Sequence, residues 1–287
     1  MKADILLLIT AALWGFAFVA QRQGNAHMGP FTFNAIRFTL GALVLIPLMI
    51  VLRKQQKNHL GFSFKETIIP GLITGTILFI GASCQQVGLL GTTAGKAGFI
   101  TGLYVILVPL MALFWGRRTH PAHWIGTFLA VAGLYLLSIK RGFSISTYDL
   151  IVLVGAFFWA GHVHLINRYA KSVGAVRLSI LQFAVCGVLS GVAALLFETI
   201  RFSAILDGIG PILYGSFLSV GLAYTLQVVA QRTAEPSHAA IILSLESVFA
   251  ALGGWLVLNE MLSSRDLVGC ALMFLGMFVS QVLGKRI

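Results

Sequence analysis

Apolar residues in this chain fall in long, nearly unbroken runs rather than in the alternation of a half-buried strand or the narrow stripe of a surface helix. Ten such runs follow one another, at approximately 3–21, 30–52, 67–90, 94–116, 122–139, 148–170, 176–198, 208–230, 237–258 and 267–284. A bilayer core takes about 20 helical residues to cross, and each run comes close to that length. A helix that is apolar all round belongs in lipid or between other helices. The pattern predicts an all-α integral membrane protein with ten transmembrane helices. The longest polar stretch, RKQQKNHLGFSFKE from Arg53 to Glu66, is too short to fold alone. The run behind Lys2, residues 3–20, exceeds the apolar core of a signal peptide and is followed by many like it, so it reads as the first span.

Composition agrees with a lipid solvent. Hydrophobic residues make up 58% of the 287 positions and charged residues 10%, against about 25% charged in a soluble domain. The net charge of +11 sits in short clusters between apolar runs, which is a topology signal and not a stripe for nucleic acid. The expected partners are therefore the lipid bilayer and a small molecule, with no nucleic acid. Placing the N-terminus in the cytoplasm puts 13 Lys and Arg on that side and 6 on the other. Both termini are thus expected to be cytoplasmic. Cys84, Cys186 and Cys270 lie inside apolar runs and match no metal spacing, so no metal site is expected. GTTAGKA, residues 91–97, mimics a phosphate loop but has Leu90 where the first glycine belongs and Ala97 where a hydroxyl belongs, and no cofactor is expected.

The two halves echo each other. LWGFAF around Trp14 resembles FWAGHV around Trp159 at an offset of 145, which also brings Gly29 onto Gly174 and Arg37 onto Gln182. KAGFITGLY from Lys96 resembles HAAIILSLE from His238 at an offset of 142. Five spans per half is an odd number, so the second copy enters the membrane inverted. The chain divides into repeats at 1–142 and 143–287. Inverted repeats are the mark of secondary transporters with a midplane site.

Several stretches together resemble a known family: AALWGFAF in the first span, IRFTLGALVL in the second, GLLGTTAGKAGFITGLYVILVPLMALFW across the third and fourth, and LSLESVFAALGGWLVLNEMLSSRDLVGCALMFLG across the last two. The chain is similar to ten-helix permeases of the drug/metabolite transporter superfamily, EamA type. The resemblance implies a carrier of the bacterial inner membrane that exports amino acids or related small metabolites through a central cavity; the sequence is compatible with a monomer or a homodimer. Ser247 stands where that family leads us to expect a proline, which leaves the shape of the ninth helix open.

Polar residues inside the spans are the candidate chemistry. Glu246 lies about 13 Å from the cytoplasmic end of its span by helical rise, and an ionisable group there needs an interior face and a partner. It either packs two helices together or lines the cavity and binds an amine or a proton. Arg37 lies about 10 Å below the outer surface. It pairs with Glu246, offers its guanidinium to a substrate carboxylate, or turns outward toward the interface. His162 and His164 are about 200° apart on a helix, so one faces the cavity while the other packs. Trp14 and Trp159 occupy matching repeat positions, suited to a cavity wall or to core packing. Tyr104 is the repeat counterpart of Glu246, and Gln85, Gln86 and Lys96 cluster at outer span ends. The candidate translocation set is Trp14, Asn34, Arg37, Gln85, Tyr104, Trp159, His162, Tyr224 and Glu246, with Gln227 beside Tyr224 and no catalytic residue. Glu260 reads as interfacial. Glycine pairs at Gly71/Gly75, Gly98/Gly102 and Gly187/Gly191 mark close packing, and Pro47, Pro70, Pro109 and Pro211 permit bends. The functional expectation is a secondary carrier driven by a substrate or proton gradient. A channel or an integral-membrane enzyme is the alternative.

Overall fold

Unbroken apolar sequence in a low-dielectric solvent must satisfy its backbone internally, and helix is the local way to do so. In the computed structural model, residues 2–55, 64–114, 116, 119–138, 145–258 and 263–283 are described. Helices α1 (Lys2–Asn25), α2 (Pro30–Gln55) and α3 (Phe64–Gly88) form the first three spans. The fourth is α4 (Ala94–Gly102) followed by α5 (Tyr104–Phe114). Then come α6 (Pro121–Ser138), α7 (Thr147–Val173), α8 (Ala175–Phe197) and the short α9 (Phe202–Asp207). The eighth span joins α10 (Ile209–Leu213), a π-helical segment (Tyr214–Tyr224) and α11 (Thr225–Ala230). The ninth is α12 (Pro236–Leu243) and α13 (Glu246–Leu258), and α14 (Ser264–Leu283) is the tenth. Nine spans have the length and hydropathy of a bilayer crossing among the described residues, and the apolar part of α6, Pro121–Leu137, is shorter. Gln281 donates to Asp4 at 2.9 Å, so the start of α1 and the end of α14 share one face of the bundle, here called the terminal face.

Helix contacts come in matched pairs. The second span packs on the seventh and the fifth on the tenth. Contact of the first with the ninth is matched by the sixth with the fourth, third with sixth by eighth with first, and third with seventh by eighth with second. Renaming each span by its counterpart five places on reproduces the set. Glycine makes the closest of these contacts possible. A Cβ on Gly269 would meet the Gly133 carbonyl at 2.7 Å, and one on Gly276 the Gly126 carbonyl at 2.6 Å, so α6 and α14 touch backbone to backbone. The glycine pairs named above also work within the chain: Gly71 and Gly75 face Leu181 and Val185 of α8, Gly98 and Gly102 face Ala250 and Ser247, and Gly187 faces Thr39 of α2. Outward positions such as Phe114, Phe128, Leu195 and Phe197 carry large, exposed apolar side chains, as a lipid-facing surface requires.

Three spans depart from the continuous helices that the hydropathy pattern predicts. The ninth is interrupted at Ser244–Leu245, where the Leu245 amide donates to Ile242 O at 3.2 Å and the Ser247 amide to Ser244 O at 3.1 Å, a tightened turn. The Ser244 hydroxyl feeds back to Ile241 O at 2.9 Å, the competing side-chain bond that loosens a helix. The break therefore forms without the proline. The fourth span breaks at Leu103, which the 142 offset carries onto Leu245. The two breaks touch through the Ser247 hydroxyl, which donates to Gly98 O at 2.7 Å. The eighth span is π-helical over eleven residues, and Thr10 and Trp14 donate to its Ala223 and Ser219 carbonyls at 3.1 and 3.3 Å. None of these interruptions sits at a proline. Glu260, most of the polar loop between the second and third spans, and basic Arg117, Arg118, Lys140, Arg141, Lys285 and Arg286 lie outside the described residues.

Candidate functional site

Where the broken spans meet α1, α2, α7 and the π segment, they enclose a central chamber. The break places Glu246 at the first residue of α13, where a helix N-terminus favours negative charge. Its residue is 4% exposed, and its buried Oε1 accepts no hydrogen bond. Close approach by α1 holds it there: a Cβ on Gly15 would lie 2.6 Å from the Glu246 carbonyl and would run into Phe249. Tyr104, which opens α5 just past the other break, stands beside the carboxyl group.

Arg37 supplies the opposite charge from α2. It is 2% exposed, its Nε donates to Asn34 Oδ1 at 2.9 Å, and its guanidinium lies over the Phe38 and Phe33 rings at 4.7 and 5.5 Å from their centroids. Those stacks favour a weakly hydrated planar cation. No ion pair joins Arg37 to Glu246 among the described residues, so of the alternatives for Arg37 the pairing with Glu246 does not form. Both line the same cavity. A guanidinium and an ionisable carboxyl group buried apart in low dielectric would each gain from a guest with matching ends.

Aromatic rings wall the space between them. Tyr224 is the hub: Trp14 lies 4.5 Å from it by ring centroids, Trp159 is stacked at 6.2 Å, and His162 meets it edge-on at 6.2 Å. His162 Nε2 is 2.8 Å from Gln182 Oε1, while its Nδ1 and the Trp159 Nε1 are buried without a hydrogen-bond partner. His164 turns away to Val108 O at 2.8 Å. At the end farther from the terminal face, Gln85 Nε2 donates to Gln21 Oε1 at 3.0 Å, and both line the cavity. The cavity measures about 30 Å³, room for about two waters. A space of this size holds water and is too small for a metabolite.

Eight of the nine expected residues line this one space: Trp14, Arg37, Gln85, Tyr104, Trp159, His162, Tyr224 and Glu246. Asn34 sits behind it, fully buried, donating to Ala82 O at 3.2 Å and orienting Arg37. Gln227 also reaches the lining. Lys96 does not join the glutamines: it pairs with Asp149 of α7 at 2.6 Å, and Gln86 bonds instead to Asn25 at 2.7 Å. Phe18, Gln21, Thr101 and Ser219 line the chamber too and were not singled out in the sequence, since none is unusual for a membrane helix. The offset between repeats, applied to Thr101 and Leu103 as it was to Tyr104, is the signal that points to their end of the fourth span.

The EamA-like transporter family matches residues 1–139 and again 146–281. An uncharacterized transporter of Archaeoglobus fulgidus is 32% identical over 280 residues, covering 97% of this chain and 85% of its own. The uncharacterized transporter YoaV of Bacillus subtilis is 22% identical over 98% of this chain and 97% of its own. The aromatic amino acid exporter YddG of Escherichia coli is 26% identical over 198 residues, 63% of this chain and 64% of its own. A solved crystal structure superposes with a TM-score of 0.80 over 99% of this chain and 98% of that one, at 21% identity, and shares the fold.

Proposed function

The chain belongs to the EamA-like transporter family of the drug/metabolite transporter superfamily, and from that premise we propose that it is a secondary carrier exporting small zwitterionic metabolites by alternating access. It is a multi-pass membrane protein. The observation that carries the reading is the chamber with Arg37 and Glu246 facing it unpaired. A substrate carboxylate fits the guanidinium fork, its ammonium fits Glu246, and an aromatic or aliphatic side chain fits against Trp14, Trp159 and Tyr224. Amino acids have this pattern of charges, and the printed name of the Escherichia coli relative lends support to that class.

In this reading the halves 1–142 and 143–287 rock against each other about the chamber. A proton or substrate gradient supplies the energy, and no bond of the substrate is broken. The distribution of Lys and Arg supports a cytoplasmic terminal face, and the likeness to transporters of Bacillus subtilis and Escherichia coli supports a bacterial inner membrane. The chamber is built within one chain, which suits a monomer and equally a homodimer.

The test is counterflow with purified protein in liposomes, offering amino acids, amines and nucleosides in turn. Saturable exchange of zwitterionic amino acids, absent with amines or carboxylates that lack the second charge, is the expected result. Exchange of nucleosides or of uncharged solutes alone would contradict the two-charge site.

A further inference from the structure

A second polar cluster closes the terminal face, separate from the chamber. His123 of α6 and His238 of α12 both direct Nδ1 at the hydroxyl of Ser280 on α14, at 2.7 and 2.8 Å, and their rings lie 5.7 Å apart by centroids. Each turns its other nitrogen to a carboxylate: His123 Nε2 is 3.3 Å from Glu235 Oε2, and His238 Nε2 is 3.0 Å from Asp4 Oδ1 of α1. Glu235 also caps α12, accepting from the His238 amide at 3.0 Å, and Asp4 accepts from Gln281. Both histidines and Asp4 are largely buried, while the Glu235 side chain is 46% exposed.

Hydrogen counting makes this arrangement informative. Three of the four contacts to the hydroxyl and the carboxylates are hydrogen bonds, each with one hydrogen between its heavy atoms; the fourth, His123 Nε2 facing Glu235 Oε2, is an ion-pair contact that is favourable only with a hydrogen on that nitrogen. An ionised carboxylate only accepts, a neutral imidazole carries one N–H, and a serine has one O–H. Two neutral rings and the hydroxyl bring three hydrogens to four contacts. One added proton completes the set, wherever in the cluster it resides. A second would make both Nδ1 atoms donors, stranding the hydroxyl hydrogen and placing two imidazolium rings side by side. We propose that the cluster is a binding site for a single proton, and that its occupancy ties α12 to the first, fifth and tenth spans and shuts the terminal face.

The other described groups around the two rings leave the count unchanged, and Asp4 has a further partner besides. His120 precedes α6 with its ring 5.9 Å from His123, but its Nδ1 accepts from the Ala122 amide at 3.2 Å. From the other elements packed on α12, α5 presents Val108 O to His164 of α7, and Asn167 of α7 donates to the Gln231 and Ala234 carbonyls at 3.1 and 2.9 Å. The far end of α12 is the Ser244–Leu245 break, with Glu246 immediately past it. His238 and Glu246 are eight residues apart, about 12 Å of rise. Release of α12 at the face therefore moves the residue that lines the chamber. This role in gating rests on the carrier reading, whereas the proton site does not.

The test reads opening without transport. In full-length protein with Cys84, Cys186 and Cys270 replaced by alanine, Ser237→Cys puts a thiol at a fully buried position of α12. Its reaction with a water-soluble maleimide is followed between about pH 5.5 and about pH 8.5, where histidine titrates, with the rate corrected for ionisation of an exposed control thiol. The corrected rate is expected to rise by up to about tenfold per pH unit, the dependence of an opening that releases one proton. His238→Gln and Ser280→Ala should each flatten that dependence, and if the first fails to fold the second decides alone. A flat wild-type profile, or one that both variants leave intact, would overturn the proposal. Failure of counterflow alongside intact pH-dependent labelling would count against the carrier reading and spare the proton site. Working counterflow with flat labelling would do the reverse.

Discussion

Asn34 shows how one uncharged residue can govern a charged one. Its side chain accepts from Arg37 Nε and donates to the Ala82 carbonyl, fixing the guanidinium over the chamber in a place where a missing acceptor leaves a buried donor bare. Asn34→Leu is expected to lower stability by about 2 kcal/mol, read by thermal unfolding in detergent, and to weaken substrate binding as well. A variant as stable as wild type would show that Arg37 needs no such support. Glu246 and Arg37 were legible in the sequence because an ionisable group in an apolar run is costly and needs a reason. Their separation was not legible, because helical rise gives depth and says nothing of which way two side chains turn. The grouping of His123, His238 and Asp4 is not legible for the opposite reason: near span ends, polar residues look like ordinary interfacial ones, and only the packing of four helices makes them neighbours.

The ten spans could be read from hydropathy because lipid imposes one length and one composition on every element. The interruptions could not. Ser244 and Leu103 lie in apolar sequence without proline, and the turn at each depends on what the neighbouring span offers, notably the Ser247 hydroxyl bonded to Gly98 O. Ser247→Ala should cost about 1 kcal/mol by the same thermal measurement, and an unchanged midpoint would mean that the two breaks hold their shape independently. The glycines of α6 and α14 make a sharper prediction. Gly269→Val places side-chain atoms against the Gly133 carbonyl and the Leu137 amide, and should destabilise by about 1–3 kcal/mol. A neutral outcome would mean that the fifth and tenth spans part easily.

Across the whole molecule, the matched contacts between spans suit two units moving about a shared centre, with the proposed proton cluster toward one face and the Gln21–Gln85 bond and the Lys96–Asp149 pair toward the other. The orientation expected from charge outside the spans is open to a simple check. Reporters fused to the two termini should both read as cytoplasmic, and reporters on opposite sides would contradict an even number of crossings. The central claim is that two buried, opposite charges hold one guest, and equilibrium binding of the amino acid identified by counterflow tests it most directly. Measured by quenching of the chamber tryptophans, affinity should fall at least about tenfold, or about 1.4 kcal/mol, in Arg37→Gln and again in Glu246→Gln, with both proteins folded. Wild-type affinity in either variant would contradict the account.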